Sequence, residues 1–450
     1  MFTKHDSHGL LTAYLICHVD DILFTGTDEG LKSVEAALRT FRAGDTELLT
    51  QKSPIVFTGL LIETQDTGTI TLSQTQYAAD LKKITVEDHF EHGKIKCQKA
   101  LRTTLRQALG SLIWLHQTRP DIGFDITKLA TDAVAACLDP TLARTAINLY
   151  NKTVRFVNNY PRKITYTPPP EGIVNKENNR HAMEKRRLVL FTDAGFGSLA
   201  NSHSIEGTVT ILAAVTGRDG VIHCHGYLLD HRCAKIQRVC KSSLAAEAHA
   251  ALTATDQALW FQVLLTELVT GKYDITAISP PTTFPIPDPF GPSPTDQEVA
   301  AQMSEKPFNK QVMFMKCTNC EMSLNLSQMI FKARQDWKSR HNEQKPFTLF
   351  RPLLLTDCCS LFSAILRMQP QSQDKCAKLL MNQLRDFQSL IDMSYVDNTC
   401  NLGDMETKHA ASLNILTLFF ATGKFIISFL GRKARMNLTS MPSPTPDSGH

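Results

Sequence analysis

Four acidic residues that lie far apart in the chain stand in similar local patterns. Asp193 ends the apolar run LVLFTD, and Asp357 ends the comparable run PLLLTD. Asp404 lies in the stretch NLGDMETK, and Glu247 lies in an alanine-rich helical pattern. A lone Asp after a strand usually does no more than start a turn. The repeated pattern is therefore what makes these four residues candidates for chemistry.

Carboxylates that converge repel one another unless cations lie between them. Mg²⁺ prefers oxygen ligands and keeps several of its waters. Two such ions about 4 Å apart can activate a water on one side and stabilise a leaving oxygen on the other. If the fold brings the four acids together, they predict a site for two Mg²⁺ (or Mn²⁺) ions that hydrolyses a phosphodiester.

The elements that must position these acids are strands and helices in a mixed order. The run before Asp193 predicts a buried central strand. Residues 203–215 and 221–229 predict two further strands, which form an antiparallel meander with the first. Apolar runs at 352–356 and 390–396 predict two more strands, the first of which ends at Asp357.

A helix is predicted from residue 242 to about residue 268, with its apolar residues on one stripe. Glu247 lies on or beside that stripe, where an acid is costly unless it is paired or bound to a metal. Taken alone, Glu247 is as readily a structural residue as a functional one.

The N-terminal stretch LLTAYLICHVDDILF predicts a hairpin with Asp20 and Asp21 at its tip. Adjacent residues of a strand point to opposite sides, so at most one of these acids can lie deep in a metal site. An amphipathic helix (29–42), paired strands (55–63 and 68–72) and a helix (73–82) are predicted to follow.

Motifs in the first part of the chain resemble the reverse transcriptase of Ty1/copia-type retrotransposon polyproteins. HVDDILFTG, at residues 18–26, resembles the hairpin that ends the polymerase palm, and FTGLLIE and TITLSQTQYAADL follow it. RQALGSLIWLHQTRPDIGFDITKLA, at residues 106–130, resembles the thumb and connection segment. Without the family, this last stretch predicts a helix that stops at Pro120 and restarts beyond it.

The later motifs are similar to the ribonuclease H domain of the same family. FTDAGF, SSLAAEAHAAL, TDCCSLFSAI and NLGDMETK correspond to the blocks YTDAD, SS-x-x-x-E, CDNQSA and NLADILTK. All four acids match residue by residue. The resemblance implies that Asp193, Glu247, Asp357 and Asp404 hold two Mg²⁺ (or Mn²⁺) ions and hydrolyse the RNA strand of an RNA/DNA hybrid.

The resemblance implies a fold of the α+β or α/β class. A partial reverse transcriptase palm and thumb at 1–157 precedes a linker at 158–187. A ribonuclease H-like domain at 188–412, with a mixed five-stranded sheet and flanking helices, carries a Pro-rich insertion at 275–350. A C-terminal extension occupies 413–450.

Several residues depart from the family pattern. His18 replaces the usual Tyr, Ala245 replaces an additional Glu, and Cys358 and Cys359 stand where Asn and Gln are usual. The insertion begins with SPPTTFPIPDPFGPSPTD, and residues 279–309 are predicted to be disordered and dispensable.

The insertion also contains a CxxC pair, Cys317 and Cys320, without a second pair at zinc spacing. Solvent-exposed thiols are therefore the favoured interpretation of this pair.

The polymerase part is expected to be inactive by itself. In the family, the metal ions of the polymerase are bound by the acid pair that corresponds to Asp20 and Asp21 and by an Asp on an earlier palm strand. Asp6 is the only acid before Asp20, and it lies in the polar stretch KHDSHG, where no strand is predicted to hold it. Asp20 and Asp21 are thus a polymerase remnant.

Composition sets broad limits on the environment of the protein. The chain has 450 residues, 42% hydrophobic and 20% charged, with a net charge of only +4, which provides no general basic field for nucleic acid. Twelve scattered cysteines and the absence of a signal-peptide pattern predict an intracellular setting, cytoplasmic or nuclear. The apolar run at 413–430 contains Gly423 and Lys424, which favours a buried or interfacial helix over a membrane span.

The resemblance implies an RNA/DNA hybrid and other Pol and Gag products of a retroelement as partners. A non-enzymatic alternative stays open, namely a decayed remnant that at most binds nucleic acid. The long insertion and the altered flanking residues favour that alternative.

Overall fold

A computed structural model describes residues 2–7, 11–41, 44–168, 186–199, 202–218, 221–270, 312–316, 352–366, 374–387, 390–409 and 413–428. Helices and several sheets are mixed along the chain, which confirms the mixed class predicted from the sequence. The strands are β1 (Phe2–His5), β2 (Leu11–His18), β3 (Asp21–Gly26), β4 (Thr46–Leu48), β5 (Ile55–Phe57), β6 (Leu60–Thr64), β7 (Ile70–Ser73), β8 (Phe90–Glu91), β9 (Lys94–Ile95), β10 (Ile164–Tyr166), β11 (Arg186–Gly195), β12 (Ile205–Arg218), β13 (Val221–Lys235), β14 (Val312–Lys316), β15 (Pro352–Thr356), β16 (Asp392–Tyr395) and β17 (Lys424–Ser428). The helices are α1 (Asp28–Arg39), α2 (Thr75–Asp80), α3 (Gln98–His116), α4 (Gly123–Ala136), α5 (Pro140–Asn159), α6 (Ser243–Thr270), α7 (Cys359–Leu366), α8 (Lys375–Asp386), α9 (Asp404–Thr407) and α10 (Leu413–Thr422).

The N-terminal sheet has the strand order β1-β2-β3-β14-β4. The predicted hairpin is confirmed, because β2 and β3 pair antiparallel and Val19 takes a positive φ of 52° at the tip. Helix α1 packs on this sheet through Leu31 and Leu38, which join a small apolar core. The strand β14 comes from the predicted insertion and pairs with both β3 and β4.

Helices α3, α4 and α5 form a second core beside the sheet β10-β7-β6-β5. As predicted, a helix stops before Pro120 and another starts after it, because proline lacks the amide donor that a helix interior needs. The connection holds a buried ion pair, in which the Arg119 guanidinium donates to both oxygens of Asp121. Arg162 lies 3.3 Å from the same carboxylate.

The largest sheet has six strands in the order β16-β15-β11-β12-β13-β17. The predicted antiparallel meander is β11, β12 and β13, and β11 pairs parallel with β15, which pairs parallel with β16. The prediction of five strands is wrong by one strand, because β17 pairs with the edge of β13. Phe425 of β17 packs against Phe191 and Phe419, so apolar burial holds this added strand in the core.

Helix α6 covers one face of this sheet along a row of small side chains. Small residues let the helix backbone approach the sheet closely, where they pack against Leu190 of β11 and Leu354 of β15. The buried alanines of α6 are Ala245, Ala246, Ala248, Ala250, Ala251, Ala254 and Ala258. The helix predicted for residues 242 to about 268 is thereby confirmed.

The segment predicted as a linker, residues 158–187, contains regular structure at both of its described ends. Asn159 ends α5, and β10 pairs antiparallel with β7. Ile164 and Tyr166 of β10 also pack on the core of the six-stranded sheet, and the Tyr166 hydroxyl donates to the Leu228 carbonyl. The sequence predicted no strand here, because a three-residue strand has no periodic pattern of its own.

The apolar run at residues 413–430 forms the short helix α10, a turn at Gly423 with a φ of 68°, and the strand β17. No helix of the described residues combines the length and hydropathy needed to cross a bilayer. The predicted disordered segment 279–309 and the pair Cys317 and Cys320 lie outside the described residues.

Replacing Asp121 with alanine should destabilise the protein by about 3–5 kcal/mol, because the change leaves two buried guanidinium groups without their carboxylate. Urea denaturation of the wild type and the variant measures the difference. Asp132→Ala is the matched control, since Asp132 makes only a 4.0 Å pair with Lys128 one helical turn away, and it should cost less than about 1 kcal/mol. Equal losses in the two variants would contradict a structural role for the buried pair.

Candidate active site

Asp193 and Asp357 are placed side by side by the parallel pairing of β11 and β15. The register pairs Thr192 with Thr356, and each threonine immediately precedes one of the acids. Because neighbouring strands lie about 4.8 Å apart, the next residue of each strand reaches the same edge of the sheet. Two of the predicted residues therefore meet at the carboxyl ends of central strands, where α/β sheets commonly bind ligands.

Asp404 joins this pair from α9. One carboxylate oxygen from each of Asp193, Asp357 and Asp404 lies within 4.8 Å of the others. Helix α9 can approach β12 because residue 207 is glycine, where an added Cβ would lie 2.7 Å from Thr407 Cγ2. The third predicted residue thus belongs to the same cluster.

Glu247 faces the cluster from the first turns of α6. It is 9% exposed, and the backbone amide of Ala194, the neighbour of Asp193, donates a hydrogen bond to it. Its Oε2 atom is buried without a hydrogen-bond partner among the described residues. Glu247 is not one of the three acids whose oxygens lie within 4.8 Å of one another, but it lies close enough to Asp193 and Asp357 for their charges to raise its pKa. The structure therefore brings three of the predicted acids into one cluster and places Glu247 beside it.

Burial and mutual repulsion change the acidity of this group. Burial, with the negative charges of Asp193 and Asp357, raises the pKa of Glu247 from 4.5 to about 9. Burial and the charge of Asp193 also raise the pKa of Asp357. Burial raises the pKa of Asp404 to about 6, although the hydrogen bond from Lys408 opposes this. A cation that binds between these acids would therefore be stabilised, because it offsets their mutual repulsion.

Three further residues contact the cluster, and the sequence analysis did not single them out. Lys408 Nζ lies 2.7 Å from Asp404 Oδ1 and 3.7 Å from Asp193 Oδ2. The Thr407 hydroxyl donates to Asp193, and the Asn401 amide donates to the Thr192 carbonyl. All three lie in the stretch NLGDMETK, and the four-residue spacing of Asp404 and Lys408 was an available signal for their pairing.

Cys358, one of the residues that depart from the family pattern, follows Asp357 at the edge of the acid cluster. Its amide donates to Thr356, and burial raises the pKa of its thiol to about 11, so it is held as a neutral thiol at neutral pH. Cys359 opens α7 and is exposed.

Asp20 and Asp21 lie elsewhere, at the tip of the N-terminal hairpin. Neither belongs to the two potential metal-binding groups that the described residues contain. The prediction that no strand holds Asp6 is wrong, because Asp6 directly follows β1. The antiparallel register pairs His5 with Leu11, at the end of β2 away from the tip, so Asp6 is separated from the acid pair by about 20 Å of strand.

The second potential metal-binding group consists of His116, His231 and Glu406. Glu406 is completely buried and contacts both imidazoles. Burial lowers the pKa of His231, but the hydrogen bond and charge of Glu406 outweigh it and raise the pKa overall. Sequence reasoning missed this group because its members lie in three distant segments that no metal-ligand spacing relates, although His116 and Glu406 lie within motifs that the sequence analysis singled out.

Without divalent cations, the wild-type protein should lose stability as the pH rises from about 4.5 towards 9. Over this range folded Glu247 keeps a proton that the unfolded chain releases, so the contribution is present at the lower pH and is lost as the pH approaches the folded pKa. Urea midpoints measured at several pH values in the presence of a chelator report this slope. Glu247→Gln should flatten it, whereas the exposed control Glu87→Gln should keep it, and an equal slope in all three proteins would contradict the buried, protonated Glu247.

Comparison of the chain with models of protein families gives no match, and comparison with curated proteins gives no significant match. The geometry of the four acids is therefore the observation on which a function can be proposed.

Proposed function

We propose that the protein is a metal-dependent nuclease of the ribonuclease H type, which hydrolyses the RNA strand of RNA/DNA hybrids. The observation that carries this proposal is the convergence of Asp193, Glu247, Asp357 and Asp404 at one edge of the six-stranded sheet. The same four residues match the motifs of the copia-type ribonuclease H domain. The positions of these acids in the fold and the resemblance thus point to the same residues.

The topology supports a ribonuclease H-like fold for this part of the chain. An antiparallel meander, β11 to β13, is followed by α6, then by β15, which pairs parallel with β11, and by β16, which pairs parallel with β15. This order places acids from strand ends and from two helices at one edge. The additional strand β17 extends the sheet on the side away from β15.

The acids fit the Mg²⁺ (or Mn²⁺) ions that the resemblance implies. Carboxylate oxygens are the ligands these hard ions prefer, and the unsatisfied Oε2 atom of Glu247 offers one such oxygen. When bound, a pair of ions supplies an activated water and stabilises the leaving oxygen. The residues themselves orient the cluster, since Thr407 and Lys408 fix Asp193 and Lys408 also fixes Asp404.

A basic groove adjoins the acids and supports a nucleic-acid substrate. Its lining has three basic side chains, Arg232, Lys235 and Arg238, against the two acids Glu206 and Asp256, and it includes the 60% exposed Trp260. Its Glu206 pairs in register with Ala194, next to Asp193, so the groove begins beside the cluster. Cationic side chains there can contact phosphates, although the net charge of the whole chain is small.

One observation favours the non-enzymatic alternative. The ammonium group of Lys408 already lies between Asp193 and Asp404, where it neutralises part of the charge that a metal ion would neutralise. A protein that retained only nucleic-acid binding could keep its acids in this state. The cleavage assay separates the two functions.

Asp193→Asn and Glu247→Gln should each lower hybrid cleavage by at least about two orders of magnitude, because each change removes a ligand of the metal cluster. The full chain is incubated with a labelled RNA/DNA hybrid and Mg²⁺ or Mn²⁺, and the RNA fragments are quantified. Asp386→Asn is the matched control, since Asp386 is an exposed acid at the end of α8, and it should retain full activity. A wild-type chain that binds hybrid without cleaving it would establish the non-enzymatic alternative.

Arg238→Gln should weaken hybrid binding and lower the slope of log affinity against log salt by about one, because one phosphate contact is lost. Fluorescence anisotropy at several salt concentrations measures this slope. Arg102→Gln, an exposed arginine of α3, is the control and should leave the slope unchanged. If both variants behave like the wild type, the groove does not bind the duplex.

A further inference from the structure

Three metal-ligating side chains meet outside the proposed nuclease site. His116 is the last residue of α3, His231 lies in β13, and Glu406 lies in α9. The three elements belong to different parts of the chain, so only the tertiary fold brings these side chains together.

The donor atoms have the spacing of ligands around one ion. Glu406 Oε2 lies 3.3 Å from His116 Nε2, and Glu406 Oε1 lies 2.9 Å from His231 Nδ1. The three donor atoms all lie within 4.8 Å of one another. Tetrahedral zinc with bonds of about 2.0–2.1 Å separates neighbouring ligand atoms by about 3.3 Å. The separations of 3.3 Å and 2.9 Å are close to that value.

The surroundings hold the donors in place. The imidazole rings of His116 and His231 pack edge to face, with centroids 4.5 Å apart. The backbone of Gln117 forms a hydrogen bond with His231, an orienting contact that metal-bound histidines commonly have. At Gly123, an added Cβ would overlap Glu406 Oε2 and lie 2.9 Å from His116 Nε2. The absence of a side chain there lets the backbone close over the donors.

We infer that His116, His231 and Glu406 form a binding site for one transition-metal ion of the Zn²⁺ class. Two imidazoles and a carboxylate suit such ions, whereas Mg²⁺ prefers a set composed of oxygens. Glu406 stands where the pattern NLADILTK has a leucine, so this site is a feature of the present chain. The inference does not depend on the proposed nuclease activity.

A bound ion would connect α3 to the six-stranded sheet and to α9. Because α9 also carries Asp404, the ion would fix the helix that supplies one acid to the other cluster. Three protein ligands leave one position of a tetrahedral ion to water, and binding of the ion can be measured without any cleavage assay. The site is expected to bind the metal ion alone, without an organic cofactor.

The experiment titrates Zn²⁺ into the metal-stripped full chain in the presence of excess Mg²⁺, which competes with Zn²⁺ for carboxylate sites elsewhere in the protein. One Zn²⁺ per chain should bind and raise the melting temperature of the protein, because the ion binds only the folded state. Co²⁺ in place of Zn²⁺ should give the visible absorption of a tetrahedral complex. His116→Asn, His231→Gln and Glu406→Gln should each weaken Zn²⁺ binding by at least about 100-fold.

His249→Gln is the matched control. His249 pairs with the buried Glu206 at 2.9 Å, but Glu206 has a single imidazole partner among the described residues, so this variant should bind Zn²⁺ like the wild type. X-ray absorption of the wild-type Zn²⁺ complex should show two imidazole nitrogens bound to the ion. Because this measurement uses the wild type, it does not depend on whether the variants fold. Failure of the wild type to bind equimolar Zn²⁺, or an ion bound by oxygen atoms alone, would overturn the inference.

Discussion

Repulsion between like charges is the constraint on which this part of the molecule depends. The parallel register of β11 and β15 forces Asp193 and Asp357 onto one edge, and α6 holds Glu247 against them. Small side chains on α6 make that approach possible, and they also exclude the water that would screen the charges. The fold offsets the repulsion locally with the ammonium group of Lys408 and with the proton that Glu247 retains at neutral pH. A site of this kind is preorganised for cations because its own side chains do not neutralise it fully.

The two parts of the chain that the sequence motifs distinguish share structural elements. Strand β10 pairs with β7 of the first part and packs on the core of the six-stranded sheet. Asp125 of α4 accepts a hydrogen bond from His409, and Glu406 of α9 contacts His116 of α3. These contacts join polar and apolar groups from both parts, so the described residues form a continuous interface there.

Local patterns identified most of the main elements, the three acids of the cluster and Glu247 beside them. The strand before Asp193 and the helix bearing Glu247 have strong periodicity or apolar runs, and their burial follows from those patterns. Asp357 ends a similar apolar run, and Asp404 was singled out because of its short motif. In each of these cases the information lies within about ten neighbouring residues.

The remaining features depend on pairing between segments that are distant in the chain, which local sequence patterns do not predict. β10 and β17 are short, and only their neighbours in the fold make them strands. The contact of His116 with Glu406 depends on two segments that no spacing rule relates. The strand after which Asp6 lies is defined by its pairing with β2, since its polar sequence has no strand pattern.

Strand β14 has a consequence for the order of folding. It follows α6 in the chain, yet its register pairs Val312 with Thr25 in the N-terminal sheet. Closing a contact over so long a stretch of chain costs entropy before the contact gives any stabilisation, so such pairings form slowly. During synthesis the β2–β3 hairpin leaves the ribosome long before β14 does, so the edge of β3 that pairs with β14 stays unpaired until β14 is synthesised. A strand edge exposed during that interval can pair with other chains, and the rate at which β14 arrives sets how long the nascent protein carries that risk.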